Sequence, residues 1–385
     1  MPIDTGFLNG IRAIAAFWVL SAHCMIWGGW YGLPLPNPKI AVDLFMVLSG
    51  FLMAYTMGER ISPEIPNDPH PWLAFYVRRF FRIAPAYYFS LGLAVVLAPI
   101  FLGGYAQLQN LNPERWVGAT QYDPMRIHFG AKNIAMHVSF LFGLVPQYVS
   151  STGLPDWSIG LEMQFYAVFP IIFVACRKYG LFGTCLTLAV ACYFLKAGYH
   201  VASNRGMIDV FPEPSLLIFK LDIFLAGLLV CEYATSTSNL NRVLSALLAV
   251  GISLMQIRYY GFRALSLSTF VLVMLLLFSR HSLLSRTRQI GNLIFNNSLT
   301  RFMSDTSYSV YLFHGFFLSI IGSQIATFCH ERELPKAEGV GIIWFVVLVL
   351  TYCFSALVYR FIELRGIRLG KLLTFHMRRV DNAVT

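Results

Sequence analysis

Charge is what this sequence lacks most. Asp, Glu, Lys and Arg make up 12% of its 385 residues, against roughly 25% in an ordinary soluble domain. The deficit is concentrated in apolar runs of about 18 to 22 residues, the length that carries a helix across a bilayer. Hydrophobic residues reach 57%, with a mean hydropathy of +0.61. A soluble globular domain is therefore excluded, and the reading is an all-α, polytopic integral membrane bundle.

Other absences narrow the class. The seven cysteines (24, 176, 185, 192, 231, 329 and 353) form no CxxC pair, and all but Cys329 lie in apolar runs. They read as small packing residues rather than metal ligands or disulfide partners. No basic segment precedes the first apolar run and no small-residue cleavage site follows it, so no cleavable signal peptide is expected. No internal repeat is evident, which counts against a transporter built from inverted repeats. The formal charge of +10 does not imply a nucleic acid partner. The basic residues sit at the ends of apolar runs instead of forming a basic face interleaved with aromatics.

What is present divides into ten expected spans, at about 8–27, 40–58, 81–102, 157–176, 180–199, 215–233, 243–257, 264–279, 306–328 and 340–361. A further interfacial or re-entrant helix is expected at 134–149. Lys and Arg favour one set of loops by about two to one, which predicts that both termini are cytoplasmic. Residues 1–365 read as one transmembrane domain and 366–385 as a basic cytoplasmic tail, with no soluble catalytic domain at either end. The longest loop, about 103–156, would then face outward.

Ionisable groups inside spans cost about 2.5–3.5 kcal/mol each on insertion scales and are functional candidates by default. The stretch RAIAAFWVLSAH begins at Arg12 and ends at His23. Eleven helical steps turn about 20° past three full turns and rise about 16 Å, so both ends share a face about half a bilayer apart. Asp43, in AVDLFMVLSGF, and Glu162, in WSIGLEMQFYAVFP, fall at depths comparable to His23 on two other spans. Either carboxylate beside His23 would fix its tautomer, as a general base requires. At the opposite face, YVRRFFRIAP places Arg79 and Arg82 on one helix face, suited to bidentate phosphate contacts. His314, in SYSVYLFH, is expected about 12 Å into the ninth span, and Trp157 is expected as an interface anchor. Lys196 and Lys220 read as snorkelling residues.

With these segments in order along the chain, the sequence resembles the membrane-bound acyltransferase 3 family, which includes bacterial O-acetyltransferases of surface and exported glycans. Arg12 and His23 match the family's Arg-x10-His pattern, Arg79 and Arg82 its RxxR motif, and Trp157 to Tyr166 its WSLSVEEQFY segment. Met163 departs from that segment by replacing its second Glu, and Ala41 replaces the Gly that usually precedes Val-Asp. The resemblance implies acyl transfer from cytoplasmic acyl-CoA, usually acetyl-CoA, to a hydroxyl of an exported or lipid-linked glycan. Arg12, Arg79 and Arg82 would then bind the donor. His23, with Asp43 or Glu162, would act on the acceptor hydroxyl or carry the acyl group, and Trp157, Tyr166 and His314 would bind substrate. It also implies a bacterial inner membrane as the location. The competing reading is a proton-coupled transporter or flippase of a glycan or lipid, in which the same buried groups relay protons. That reading leaves the paired arginines unexplained.

Overall fold

A computed structural model of the chain describes residues 5–30, 37–60, 71–113, 127–279 and 285–384. Among the described residues there are helices and no strands. In chain order they are α1 (Phe7–Gly28), α2 (Pro38–Arg60), α3 (Pro71–Val96), α4 (Ala98–Leu111), α5 (Ala131–Val138), α6 (Trp157–Tyr179), α7 (Leu181–Asn204), α8 (Leu221–Thr235) and α9 (Asn239–Met255). They continue as α10 (Ile257–Tyr260), α11 (Phe262–Leu277), α12 (Ser285–Phe295), α13 (Ser298–Asp305), α14 (Ser307–Phe317), α15 (Ser323–Glu331), α16 (Lys336–Val358) and α17 (Leu364–Val384).

Among the described residues, six helical stretches are long and apolar enough to cross a membrane: α1, α2, α6, α7, the run from Ser307 to Glu331, and the run from Lys336 to Phe375. A seventh results if α3 and α4, bent by 80° at a short break, count as one span. Length alone does not reproduce the ten expected spans. The segments 215–233, 243–257 and 264–279 fall on helices of 15, 17 and 16 residues, short of the about 20 needed to cross unaided. α8 is buried on every side, from Leu221 through Cys231, as expected for a helix surrounded by protein rather than lipid. The expected span at 81–102 straddles the α3–α4 break. There Pro99 stands at the first turn of α4, where a missing N–H costs no hydrogen bond.

Two close approaches hold the site together. Gly50 of α2 faces the backbone carbonyl of Phe224, and Gly227 of α8 faces that of Val47. The absence of a Cβ lets the two backbones meet, the usual device of helix pairs that hydrophobicity alone does not drive together. On α3, Pro85 leaves the carbonyl of Phe81 without its usual intrahelical donor. Gly366 of α17 packs against that carbonyl and the proline ring. The expected boundary between residues 365 and 366 therefore falls within a continuous helix lying against α3.

α1 runs through the middle of the bundle, touching α2, α13, α14 and α16. Its sequence explains this position, because Ala13, Ala15, Ala16, Val19 and Leu20 are small or smooth and fully buried. The expected interfacial helix near 134–149 is α5 followed by 3-10 turns at Leu141–Leu144 and Pro146–Tyr148. This segment is fastened by a buried polar cluster. The Tyr87 hydroxyl bonds His137 Nδ1 at 2.8 Å and donates to Asp156 Oδ2 at 3.1 Å. His137 Nε2 meets Ser151 Oγ at 3.1 Å, and Ser151 donates to Asn133 Oδ1 at 2.8 Å. The cluster is fully buried and lines neither cavity of the candidate site. It is a clamp that ties the 127–156 segment to α3. Trp116 and Tyr122, residues of the expected outer loop, lie outside the described residues.

A candidate active site in two stacked chambers

The apolar stretch of α1 separates two cavities. The larger, about 310 Å³, contains Arg12, Arg79, Arg82, Glu162 and Tyr166 in its wall. The smaller, about 80 Å³, contains His23, His314, Trp157, Trp27, Lys39 and Glu213. Four helices line both, among them α6, which presents Trp157 to the smaller and Glu162 to the larger. α1 presents Arg12 to the first and His23 to the second; α2 presents Ser49 and then Lys39; α14 presents Ser307 and then His314. On α14 these positions are seven residues apart, one helix face with a rise of about 10 Å.

The arginine chamber carries three cations against one lining carboxylate. Among the described residues, neither Arg12 nor Arg82 has a hydrogen-bond or ion-pair partner. Glu162 accepts a hydrogen bond from Ser49 Oγ at 2.8 Å and another from the Tyr166 hydroxyl. The Arg79 guanidinium lies over the rings of Phe75 and Tyr166, 5.8 Å and 5.6 Å from their centroids. A second carboxylate, Glu363, stands behind the wall within electrostatic range of Arg82 and Arg12, and Ser309 donates to it. The chamber therefore keeps an excess of positive charge with guanidinium forks aimed inward, an arrangement suited to an anion with several oxygens. The expected grouping of Arg12 with Arg79 and Arg82 is the one observed. Tyr166, expected among the substrate-binding residues, lines this chamber, whereas Trp157 and His314 line the other.

The histidine chamber is built around a pair. His23 Nδ1 lies 2.8 Å from His314 Nε2, with the two rings stacked at 5.0 Å. His314 Nδ1 lies 3.0 Å from the carbonyl of Val310. A carbonyl only accepts, so Nδ1 of His314 carries the proton and its Nε2 offers a lone pair. Nδ1 of His23 must then donate, which leaves Nε2 of His23 with the free lone pair in the neutral pair. The tautomers are thus assigned by the hydrogen-bond chain. A π-helical turn, Leu318–Gly322, follows His314 by one helical turn, a distortion frequent at functional sites.

This corrects the expected partner of His23. Neither carboxylate orients it. Asp43 Oδ1 accepts from Lys220 Nζ at 2.7 Å, both groups being buried, and Glu162 belongs to the arginine chamber. Glu162 lines the chamber of Arg12 rather than that of His23, and the direction in which Asp43 faces around its helix was not given by spacing. Val42 points to the cavities, and Asp43, about 100° further round, points to the start of α8. The snorkelling reading of two lysines is corrected as well. Lys220 is 0% exposed, and Lys196, 1% exposed, reaches Asp222 at 2.5 Å and Gln256 at 3.0 Å. Both are interior ion pairs between helices.

Sequence reasoning missed Lys39 and Glu213, which pair at 2.7 Å beside the histidines. Glu213 precedes Pro214 in an irregular segment with no periodicity to mark it, and Lys39 stands at the start of α2 where an interface lysine is ordinary. Glu363 was hidden in the same way, among the basic residues that close the last span. The missed tyrosine is Tyr311, in the SYSVYLFH segment itself. Its hydroxyl meets Ser158 Oγ at 2.8 Å and donates to the Pro155 carbonyl at 2.5 Å. Among the described residues there is no cluster of side chains able to hold a metal.

Comparison with known proteins gives a consistent result. The profile of a family described as an acyltransferase domain matches residues 5–360. A peptidoglycan O-acetyltransferase of Listeria monocytogenes is 28% identical over 180 residues, covering 45% of this chain and 24% of its own length. A Staphylococcus aureus protein provisionally named as an O-acetyltransferase is 24% identical over 387 residues, covering 92% of this chain and 56% of its own. A regulator of hypoxia-inducible factor 1 from Caenorhabditis elegans is 26% identical over 185 residues, 47% of this chain and 33% of its own length. The chain thus spans between a quarter and a little over half of these relatives. No solved structure matches.

Proposed function

The chain belongs to the acyltransferase domain family, and on that premise we propose that it is a membrane O-acyltransferase moving an acyl group, most simply acetyl, from acyl-CoA to a hydroxyl of a glycan. The observation that carries the reading is the His23–His314 pair in a chamber directly adjoining the arginine chamber. The names of the bacterial relatives, one of them a peptidoglycan O-acetyltransferase, point to an exported or lipid-linked saccharide as acceptor and to the bacterial plasma membrane as the setting.

The donor's phosphates are taken by Arg79 and Arg82 at the cytoplasmic side, and Arg12 guides the arm toward the chamber junction. Glu162, bonded by Ser49 and Tyr166, is the lining carboxylate that partly offsets the charge of the arginines. The acceptor enters the other chamber, where Trp157 and Trp27 offer flat apolar faces and Lys39 and Glu213 offer polar contacts. His23 Nε2 takes the proton of the acceptor hydroxyl as its oxygen attacks the thioester carbonyl carbon. The C–S bond breaks, the departing thiolate receives the proton back from His23, and the ester and free CoA remain. His314 accepts from His23 Nδ1 throughout and steadies the imidazolium that forms in between, a positioning role of the kind a carboxylate fills in other acyl transfer sites.

Protein reconstituted in lipid nanodiscs with labelled acetyl-CoA and peptidoglycan oligosaccharides tests this. Label enters the saccharide as an alkali-labile ester, and His23→Ala slows its entry by about 10²-fold or more while CoA still binds. Label that never leaves acetyl-CoA over a broad panel of glycans would refute the proposal.

A further inference from the structure

The two chambers share two wall residues, Val42 of α2 and Tyr311 of α14. Both are nearly buried, at 5% and 7% exposure. The Tyr311 ring is 6.2 Å from that of His314. Its hydroxyl is held on the far side by Ser158 Oγ and the Pro155 carbonyl. The ring therefore lies across the junction as a fixed bar with Val42 opposite. Resting on the acyltransferase reading, we infer that Val42 and Tyr311 form the aperture at which the thioester carbonyl is presented to His23, and that its width limits the length of the acyl chain.

The reasoning follows from where each reactant must stop. A donor in the arginine chamber and a base in the histidine chamber meet only at a place open to both, and these are the residues that line both. The arginine chamber carries its charged groups among apolar side chains such as Phe45, Met46, Leu48 and Phe224, and the junction narrows to an isopropyl group and an aromatic face. An acetyl methyl fits against such surfaces, and each added methylene must displace them. An apolar pocket discriminates one methylene by about 10- to 200-fold. The hydroxyl of Tyr311 is not a proton donor to the reaction on this reading, because it is committed to Pro155. Its bonds set the position of the ring and so the size of the opening.

The test uses the full-length protein in nanodiscs, peptidoglycan oligosaccharides as acceptor, and acetyl-, propionyl- and butyryl-CoA as donors. The readout is the ratio of kcat/KM for butyryl to acetyl transfer. Val42→Ala raises that ratio about tenfold or more, and Val42→Phe lowers acetyl transfer at least tenfold while the affinity for CoA, measured directly, stays within twofold. A merely structural role for Val42 would lower folded yield without moving the ratio. The inference is overturned if Val42→Ala transfers acetyl but leaves the ratio within twofold, or if Val42→Phe transfers at the unaltered rate. Absence of transfer from every donor by the unaltered protein would remove the acyltransferase reading, and this inference with it.

Discussion

Substitution of His314 separates a base from the residue that positions it. His314→Ala leaves the Nδ1–H of His23 without its acceptor in a small chamber. An unsatisfied buried donor costs about 1–3 kcal/mol, and the cost grows once His23 carries the proton, because the imidazolium then loses the dipole that faced it. Converted at 1.36 kcal/mol per factor of ten, His314→Ala lowers kcat by about 5- to 150-fold, with the KM for acetyl-CoA nearly unchanged because the arginine chamber is untouched. His23→Ala removes the base and lowers kcat by about 10²- to 10⁴-fold. Because His314 acts through His23, the two losses are not multiplicative. The double variant equals His23→Ala within about threefold. Initial rates of label transfer from acetyl-CoA in nanodiscs, with folding checked by CoA binding, provide the cycle. A double variant slower than His23→Ala by the full factor of the His314 loss would show that His314 acts independently and would refute the assigned hydrogen-bond chain.

Other consequences can be checked with the same preparation. Arg79→Ala or Arg82→Ala removes a charge-assisted contact worth about 1.5–3 kcal/mol, raising the KM for acyl-CoA about 10- to 150-fold; an unchanged KM and an unchanged salt dependence would exclude these residues from the donor site. Asp43→Ala strands a buried lysine and destabilises the bundle by about 3–5 kcal/mol, read as a lower unfolding temperature, while Asp43→Ala combined with Lys220→Met recovers much of it. If Asp43→Ala instead abolished transfer at full stability, the helix-fastening role would be wrong. Gly50→Ala forces a methyl into the Phe224 carbonyl and lowers folded yield sharply, whereas Gly58→Ala, with open space at that position, leaves it unchanged.

The parts of this architecture legible in sequence were those written along a single helix. Arg12 and His23 were placed on one face by eleven residues of α1, and Arg79 with Arg82 by three residues of α3. Spacing along a helix gives depth and relative angle with no knowledge of neighbours. What the sequence did not reveal was which way each helix faces its partners. Asp43 and Lys220 are 177 positions apart and His23 and His314 are 291 apart, and no local pattern links either pair. The position of Asp43 along its own helix therefore carried no information about its partner, Lys220. Lys196 and Lys220 were misread for the same reason, since a lysine near a span end snorkels unless a carboxylate on another helix holds it. The short α8 was overestimated as a span because hydropathy reports apolar surface without saying whether lipid or protein covers it.

The central claim is that the arginine chamber receives the donor and the histidine chamber the acceptor, on opposite sides of one aperture. The most direct measurement is transfer in sealed proteoliposomes of defined protein orientation, with labelled acetyl-CoA supplied only to the face bearing Arg79 and Arg82 and peptidoglycan oligosaccharide only to the other. The account predicts label in the oligosaccharide on the far side, its entry slowed by about 10²-fold or more in His23→Ala. Movement of unmodified oligosaccharide across the membrane, continuing without acetyl-CoA, would contradict it and establish a transporter instead.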